Sequence, residues 1–290
     1  MYTPEERVSI AKAESERLKS YLAELPAEAW TKPSACERWE VRDVVAHLAL
    51  ACAGYTGHVT RALQGDTSTP EGGPLPSSGG SESAPPQITR VDRIAQRTLS
   101  YRESMSDSVL DAFIDKNGQL LDLLTRIKPD EWDKPCFHTF QIVTIQTLTT
   151  YTNLELTLHG WDIRSQLEPA APLAPDSLGV VVEHFPDYLH WSFMPGEALA
   201  SPVTYRIELN GALTTSKDFK VQGDRAWVED SGNTPADASF RCDTELFGLV
   251  LCGRVNLDVA IGDGRIMVDG DPQLARGFGQ WFQFQKLGEA

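Results

Sequence analysis

The sequence predicts a four-helix bundle followed by a smaller α+β domain. Apolar residues recur at helical spacing through roughly the first 170 positions, then alternate strictly after about residue 200. Between the two patterns stand Pro169, Pro172 and Pro175. A chain of 290 residues suits two domains of ~100–200 residues each.

Taken in order, Leu18, Leu22 and Leu25 form the stripe of a first helix that stops at Pro26. Val41, Val44, Val45, Leu48, Cys52 and Tyr55 share one face of a second helix, running to about residue 64. Residues 65–86 change character. Seventeen of these 22 are Gly, Pro, Ser or Thr, too few apolar groups to offset the cost of ordering, so a flexible loop is expected. Helical pattern resumes near Ile88 and runs through Tyr101 and Phe113 to Ile127, with Gly118 as the expected break. Pro129 and Pro135 mark a loop, and a fourth helix spans 143–167.

In the second half Val203, Tyr205, Ile207 and Leu209 alternate with polar residues and run into Asn210-Gly211, a hairpin signal. Ala236, Ala238, Phe240 and Cys242 alternate again, and Asp243 is placed to cap a following helix. Ile266 and Val268 make a short strand before Asp271-Pro272 opens a last helix. The expected domains are 1–170, the bundle, and 176–290, the α+β domain.

Lys plus Arg total 26 against 41 Asp plus Glu, a formal net charge of −15. So acidic a chain lacks the positive footprint that grips a phosphate backbone or an anionic membrane. Five cysteines without Cys-x-x-Cys spacing argue against a disulfide framework and a four-thiolate zinc site. No signal peptide or membrane span is legible. The reading is a cytoplasmic protein, monomeric or dimeric, with no nucleic-acid or membrane partner.

The fourth helix carries the informative pair. Glu155 and His159 project from one face about a turn apart. Around them Leu148, Leu154, Leu156, Leu158, Trp161 and Ile163 make the helix apolar on nearly every side, hence buried. A buried carboxylate is costly unless paired, protonated or metal-bound. A Glu–His hydrogen bond satisfying itself is the simpler account of that pair alone. His47, at the edge of the second helix's stripe, adds a third ligand type, and helix bundles build metal sites from such inward-facing groups. Two histidines and one carboxylate leave a fourth position open. His58 lies 11 residues beyond His47, about 16 Å along the axis at ~1.5 Å per residue, too far to share an ion. Tyr151 and Asp162 share the Glu155/His159 face and are candidates to orient the ligands. Cys52 reads as a small core residue and Cys36 as more exposed.

Trp39-Glu40-Val41-Arg42-Asp43-Val44-Val45-Ala46-His47-Leu48 resembles the helix-two motif of the mycothiol-dependent maleylpyruvate isomerase family, part of the wider DinB-like group. Leu154-Glu155-Leu156-Thr157-Leu158-His159-Gly160-Trp161-Asp162 is similar to that family's second motif. Leu251-Cys252-Gly253-Arg254 resembles the Leu-x-Gly-Arg signature of the sterol-carrier-protein-2-like domain that members often add. Glu40 departs from the pattern, standing where the family usually has a Thr or Ser N-cap.

The resemblance implies a DinB-like bundle and an SCP2-like α+β domain. It also implies a divalent metal on His47, Glu155 and His159, zinc first, with iron, nickel or manganese as alternatives. Mycothiol or another low-molecular-weight thiol would be the co-substrate. Addition to a conjugated cis double bond, rotation and expulsion of the thiol give isomerisation; loss of a different leaving group gives S-transfer. Arg254, catalytic and substrate-binding, is expected to hold a carboxylate of a small electrophile across a cleft between the domains, with Arg164 a weaker candidate for the same task. Two other classes fit the same residues: a non-haem Fe(II) oxygen-dependent enzyme and a non-catalytic ligand-binding module.

Overall fold

The structure is a computed structural model that describes residues 2–36, 39–69, 90–105, 108–138, 141–168, 171–193 and 201–281. It divides into two compact units, one ending at Ser177 and the other beginning at Leu178. No described helix is long and apolar enough to cross a membrane.

The first unit is built on α1 (Pro4–Glu24), α2 (Val41–Leu63), α4 (Val109–Thr125) and α5 (Ile145–Leu167), with α3 (Arg90–Ser104) leaning on α2. Helix α1 packs on α4 and α5, and α2 packs on the same two, which closes the four-helix core. Thr3 starts α1 through a capping box with Glu6 and with Pro4 in the first turn. Helix α2 starts without a Thr or Ser. Asp43 substitutes by accepting the Glu40 N–H at 2.9 Å, while Arg102 of α3 pairs with the other Asp43 oxygen at 2.8 Å. That ion pair pins α3 to the start of α2.

Helix α5 is capped by Thr144, which accepts the Thr147 N–H at 3.1 Å. It is buried on most sides, as its leucines predict. Two of its buried threonines are satisfied locally: Thr149 and Thr152 donate to the carbonyls of Ile145 and Leu148, four residues back.

Two expectations are corrected here. The long helix expected from Ile88 to Ile127 is two helices, one ending at Ser104 and the next beginning at Val109. Gly118 sits inside α4 in open space and breaks nothing. The loop between Pro129 and α5 holds a short antiparallel hairpin, β1 (Pro135–Phe137) with β2 (Ile142–Thr144). The flexible-loop expectation for 65–86 falls, from residue 70 onward, outside the described residues. Its first residues are tied back to α2, where Arg61 holds Asp66 and Ser68.

The second unit is a five-stranded sheet in the order β5-β4-β3-β6-β7. Its strands are β3 (Val203–Asn210), β4 (Thr215–Gln222), β5 (Arg225–Asp230), β6 (Ala238–Asp243) and β7 (Met267–Gly270). The Asn210-Gly211 signal does begin a hairpin, with Gly211 at φ +96° and Leu209 opposite Thr215. Strand β6 lies parallel to β3 and antiparallel to β7. Tyr205, Phe240 and Phe278 pack their rings 4.8–5.0 Å apart at the closest pairs, and Trp281 donates to the Tyr205 hydroxyl at 2.9 Å.

Asp243 caps α7 (Thr244–Leu251) and Asp271 caps α9 (Pro272–Gly277), both as the sequence predicts. A helix not anticipated, α6 (Pro175–Ser192), packs Phe185 against Phe247 of α7, with ring centres 5.0 Å apart. A second, α8 (Leu257–Gly262), is capped by Asn256.

Candidate metal centre

Helix α2 supplies His47 and helix α5 supplies Glu155 and His159, and the two helices pack directly on each other. His47 Nε2 stands 3.1 Å from Glu155 Oε2, and His159 Nε2 stands 3.3 Å from the same oxygen. One donor atom from each residue lies within 4.8 Å of the other two. The imidazoles meet edge to face at 4.7 Å. Ligands ~2.0–2.1 Å from a tetrahedral zinc stand about 3.3 Å from one another, so this donor set fits a divalent ion.

The surroundings orient each donor. His159 donates through Nδ1 to Asp162 Oδ2 at 2.9 Å, which leaves Nε2 to face Glu155. Asp162 is fully buried. It also accepts the Cys36 thiol at 3.1 Å, and its backbone carbonyl accepts the Ala35 N–H at 2.9 Å. Trp39 sets its ring 5.2 Å from that of His47. Ala35, Cys36 and Trp39 therefore touch the environment of both imidazoles. The Tyr55 hydroxyl donates to the second Glu155 oxygen, Oε1, at 3.3 Å.

Electrostatics follow from this wiring. Burial alone would push the Glu155 carboxyl up, but hydrogen bonds from His159 and His47 outweigh it and hold the group well below its ordinary value. Burial likewise disfavours a charged His159, yet Asp162, seconded by Cys36 and Glu155, holds it well above the ordinary histidine value. Among the described residues His47 has no such carboxylate on its far nitrogen, and burial pushes it down. Burial and the Glu155 charge together push Tyr55 well up, so its O–H stays a donor.

The other expected residues fare differently. Arg164 lies nine residues beyond Glu155, which at ~100° each is the far side of α5. There it lines a separate cavity with Arg17, Tyr21 and Gly160, and it donates to the Pro172 carbonyl. Helical phase turns Arg164 away from the triad. Cys36 is buried at 2% exposure rather than exposed, because the segment carrying it folds onto α5. Tyr151 packs its ring on His138 at 4.8 Å, whereas Asp162 does hold the His159 ring. Arg254 follows α7 in the second unit and donates through Nη1 to the Cys252 carbonyl at 2.7 Å. Sequence reasoning missed Trp39, Cys36 and Tyr55 as neighbours of the triad. Trp39 stood in plain view, eight residues before His47, but nothing in the spacing said that its loop returns.

Residues 11–164, more than half of the chain, match the family described as mycothiol maleylpyruvate isomerase N-terminal domain. The chain belongs to the mycothiol maleylpyruvate isomerase family. That family is one of enzymes, and the matched domain is the helical unit here. Residues 199–283 match a second family, SCP-2 sterol transfer, which accounts for the sheet unit.

Two solved structures are similar along nearly the whole chain. A crystal structure of the mycothiol-dependent maleylpyruvate isomerase aligns over 88% of this chain and 90% of its own, at 11% identity and a TM-score of 0.58. A histidine-to-alanine mutant of that isomerase aligns over 92% and 93%, at 11% identity and a TM-score of 0.59. At this identity the likeness speaks for the family's fold. Among curated proteins none matches the chain.

Proposed function

We propose that the protein is a divalent-metal-dependent, thiol-dependent isomerase or S-transferase acting on a small, carboxylate-bearing electrophile. The observation that carries the reading is the meeting of His47 Nε2, Glu155 Oε2 and His159 Nε2 within 4.8 Å, in a family named for a mycothiol-dependent reaction. A divalent ion held by these three residues, zinc first and iron, nickel or manganese as alternatives, would lower the pKa of a small thiol such as mycothiol so that it would be ionised at neutral pH.

The chain's own residues prepare this. Asp162 holds His159 by Nδ1 so that Nε2 faces inward, and Glu155 stays ionised between the two imidazoles. Trp39, at 3% exposure, shields the His47 ring from water. The protein's own thiols are poor nucleophile candidates: burial pushes Cys52, Cys136 and Cys242 each up to about 12. Supporting an external thiol, all five cysteines are buried.

The deciding experiment pairs elemental analysis with an assay for thiol dependence. Wild type is expected to hold one divalent ion per chain and His159→Ala none. Turnover is expected to need an added thiol. Equal metal in both proteins, or turnover that follows dioxygen instead of thiol, would overturn the reading.

Arg254 is our assignment for the substrate carboxylate, supported by its Leu-x-Gly-Arg setting and its planar fork. Arg254→Lys keeps the charge but loses the two-point geometry. Since a charged hydrogen bond is worth roughly 1.5–3 kcal/mol, kcat/KM should fall about ten- to a hundredfold with metal content unchanged.

A further inference from the structure

Tyr55 stands beside the donor triad without belonging to it. Eight residues separate it from His47 on α2, about 12 Å along the axis at ~1.5 Å per residue. Side chains on a helix lean toward its N-terminus, so the long phenol reaches back toward the level of the histidine. Its hydroxyl arrives 3.3 Å from Glu155 Oε1. The other oxygen, Oε2, is the one that both imidazoles face, at 3.1 and 3.3 Å. The two oxygens of one carboxylate therefore have separate partners.

The phenol is held in place. Tyr55 is 9% exposed, and its ring packs near those of His58 and His138, with centres 6.3 and 6.0 Å away. A carboxylate can bind a divalent ion through one oxygen or through both. If Glu155 used both, the second would fill the position that a catalytic three-ligand site keeps open. Swinging Oε1 toward an ion would also strip the Tyr55 hydroxyl of its acceptor inside a buried pocket.

We propose that Tyr55 is a positioning residue that keeps Glu155 a one-oxygen ligand, so that the fourth position at the ion stays open to a thiol. The inference rests on the metal reading above and deepens it: Tyr55 sets how readily a thiol reaches the ion, without touching the ion itself.

Cobalt(II) reports this directly, because its visible absorption is intense when four-coordinate and weak at higher coordination. Full-length wild type, Tyr55→Phe and His159→Ala are loaded with cobalt(II) and titrated with 2-mercaptoethanol. The growth of the sulfur-to-cobalt charge-transfer band measures thiol binding. Phe preserves the ring and its packing, so Tyr55→Phe is expected to keep one cobalt per chain with a visibly weaker band. Its apparent affinity for 2-mercaptoethanol should drop about tenfold, the low end of what outer partners of metal ligands usually contribute. An unchanged visible band together with an unchanged thiol affinity would overturn the proposal while leaving the metal reading intact. Cobalt that binds His159→Ala as well as wild type would instead overturn both.

Discussion

Beneath the surface of the helical unit lie His47, His159, Asp162, Asp43 and Glu14, each under 10% exposed, whereas the sheet unit closes on Tyr205, Phe219, Phe240, Phe278 and Trp281. Among its described residues the sheet unit buries one carboxylate, Asp218, and that one is matched by a two-point pair with Arg206 at 2.8 and 2.9 Å. The helical unit thus buries several charged groups that its own partners must answer, among them Asp43 by Arg102, Glu14 by Arg17 and Asp162 by His159, and the sheet unit buries far fewer. Buried charge costs free energy unless something answers it. In α5 the answer is a chain of polar contacts that converges on two imidazoles and one carboxylate. The contrast is between a polar interior, which holds the candidate metal centre, and an aromatic one.

Substitutions can break that contrast, beginning with the largest effect. Phe240→Ala should cost about 3–5 kcal/mol in the sheet unit, the usual penalty for emptying a fully buried aromatic site. Metal content should not move. A denaturant titration followed by elemental analysis reads both, and loss of metal in this variant would mean that the two interiors are not separable.

Asp162→Asn is the next test. It keeps the volume but removes the charge that fixes His159, and outer partners of this kind are worth ~10–100-fold in metal affinity. Competition with a chelator would measure it, and an affinity equal to wild type would leave Asp162 a merely packed residue. The smallest effect concerns thiols. Cys52, Cys136 and Cys242 should resist alkylation in the native protein, since burial holds each near 12. In Phe240→Ala, Cys242 on the same strand and face should become reactive before the two in the helical unit, which peptide mapping after a timed alkylation would reveal.

How legible this was in the sequence differed by element. Strand β3 was plain, because Val203, Tyr205, Ile207 and Leu209 are buried while their neighbours are not. The triad was plain as well, since Glu155 and His159 share a helical face and His47 sits in a second apolar stripe. Helix α6 was hidden by its own prolines: Pro175 reads as the end of a domain although it opens the helix, and Pro186 lies inside it. Strand β5 was hidden by position. It forms an edge, its residues are half exposed, and Arg225, Glu229 and Asp230 mask any alternation. The contacts of Cys36, Trp39 and Tyr55 are products of tertiary return, and no local spacing encodes them.

The segment from Ala35 to Trp39 has one more consequence, which concerns order in time. It meets Asp162 across 126 positions of chain, and His47 meets Glu155 across 108. A chain emerging from its N-terminus exposes His47 long before its partners exist. Contacts of such separation form only after slow loop closure. The donor set is thus a product of the finished fold and cannot serve as its nucleus. Helices α1, α2, α4 and α5 must find one another first. The ion comes last.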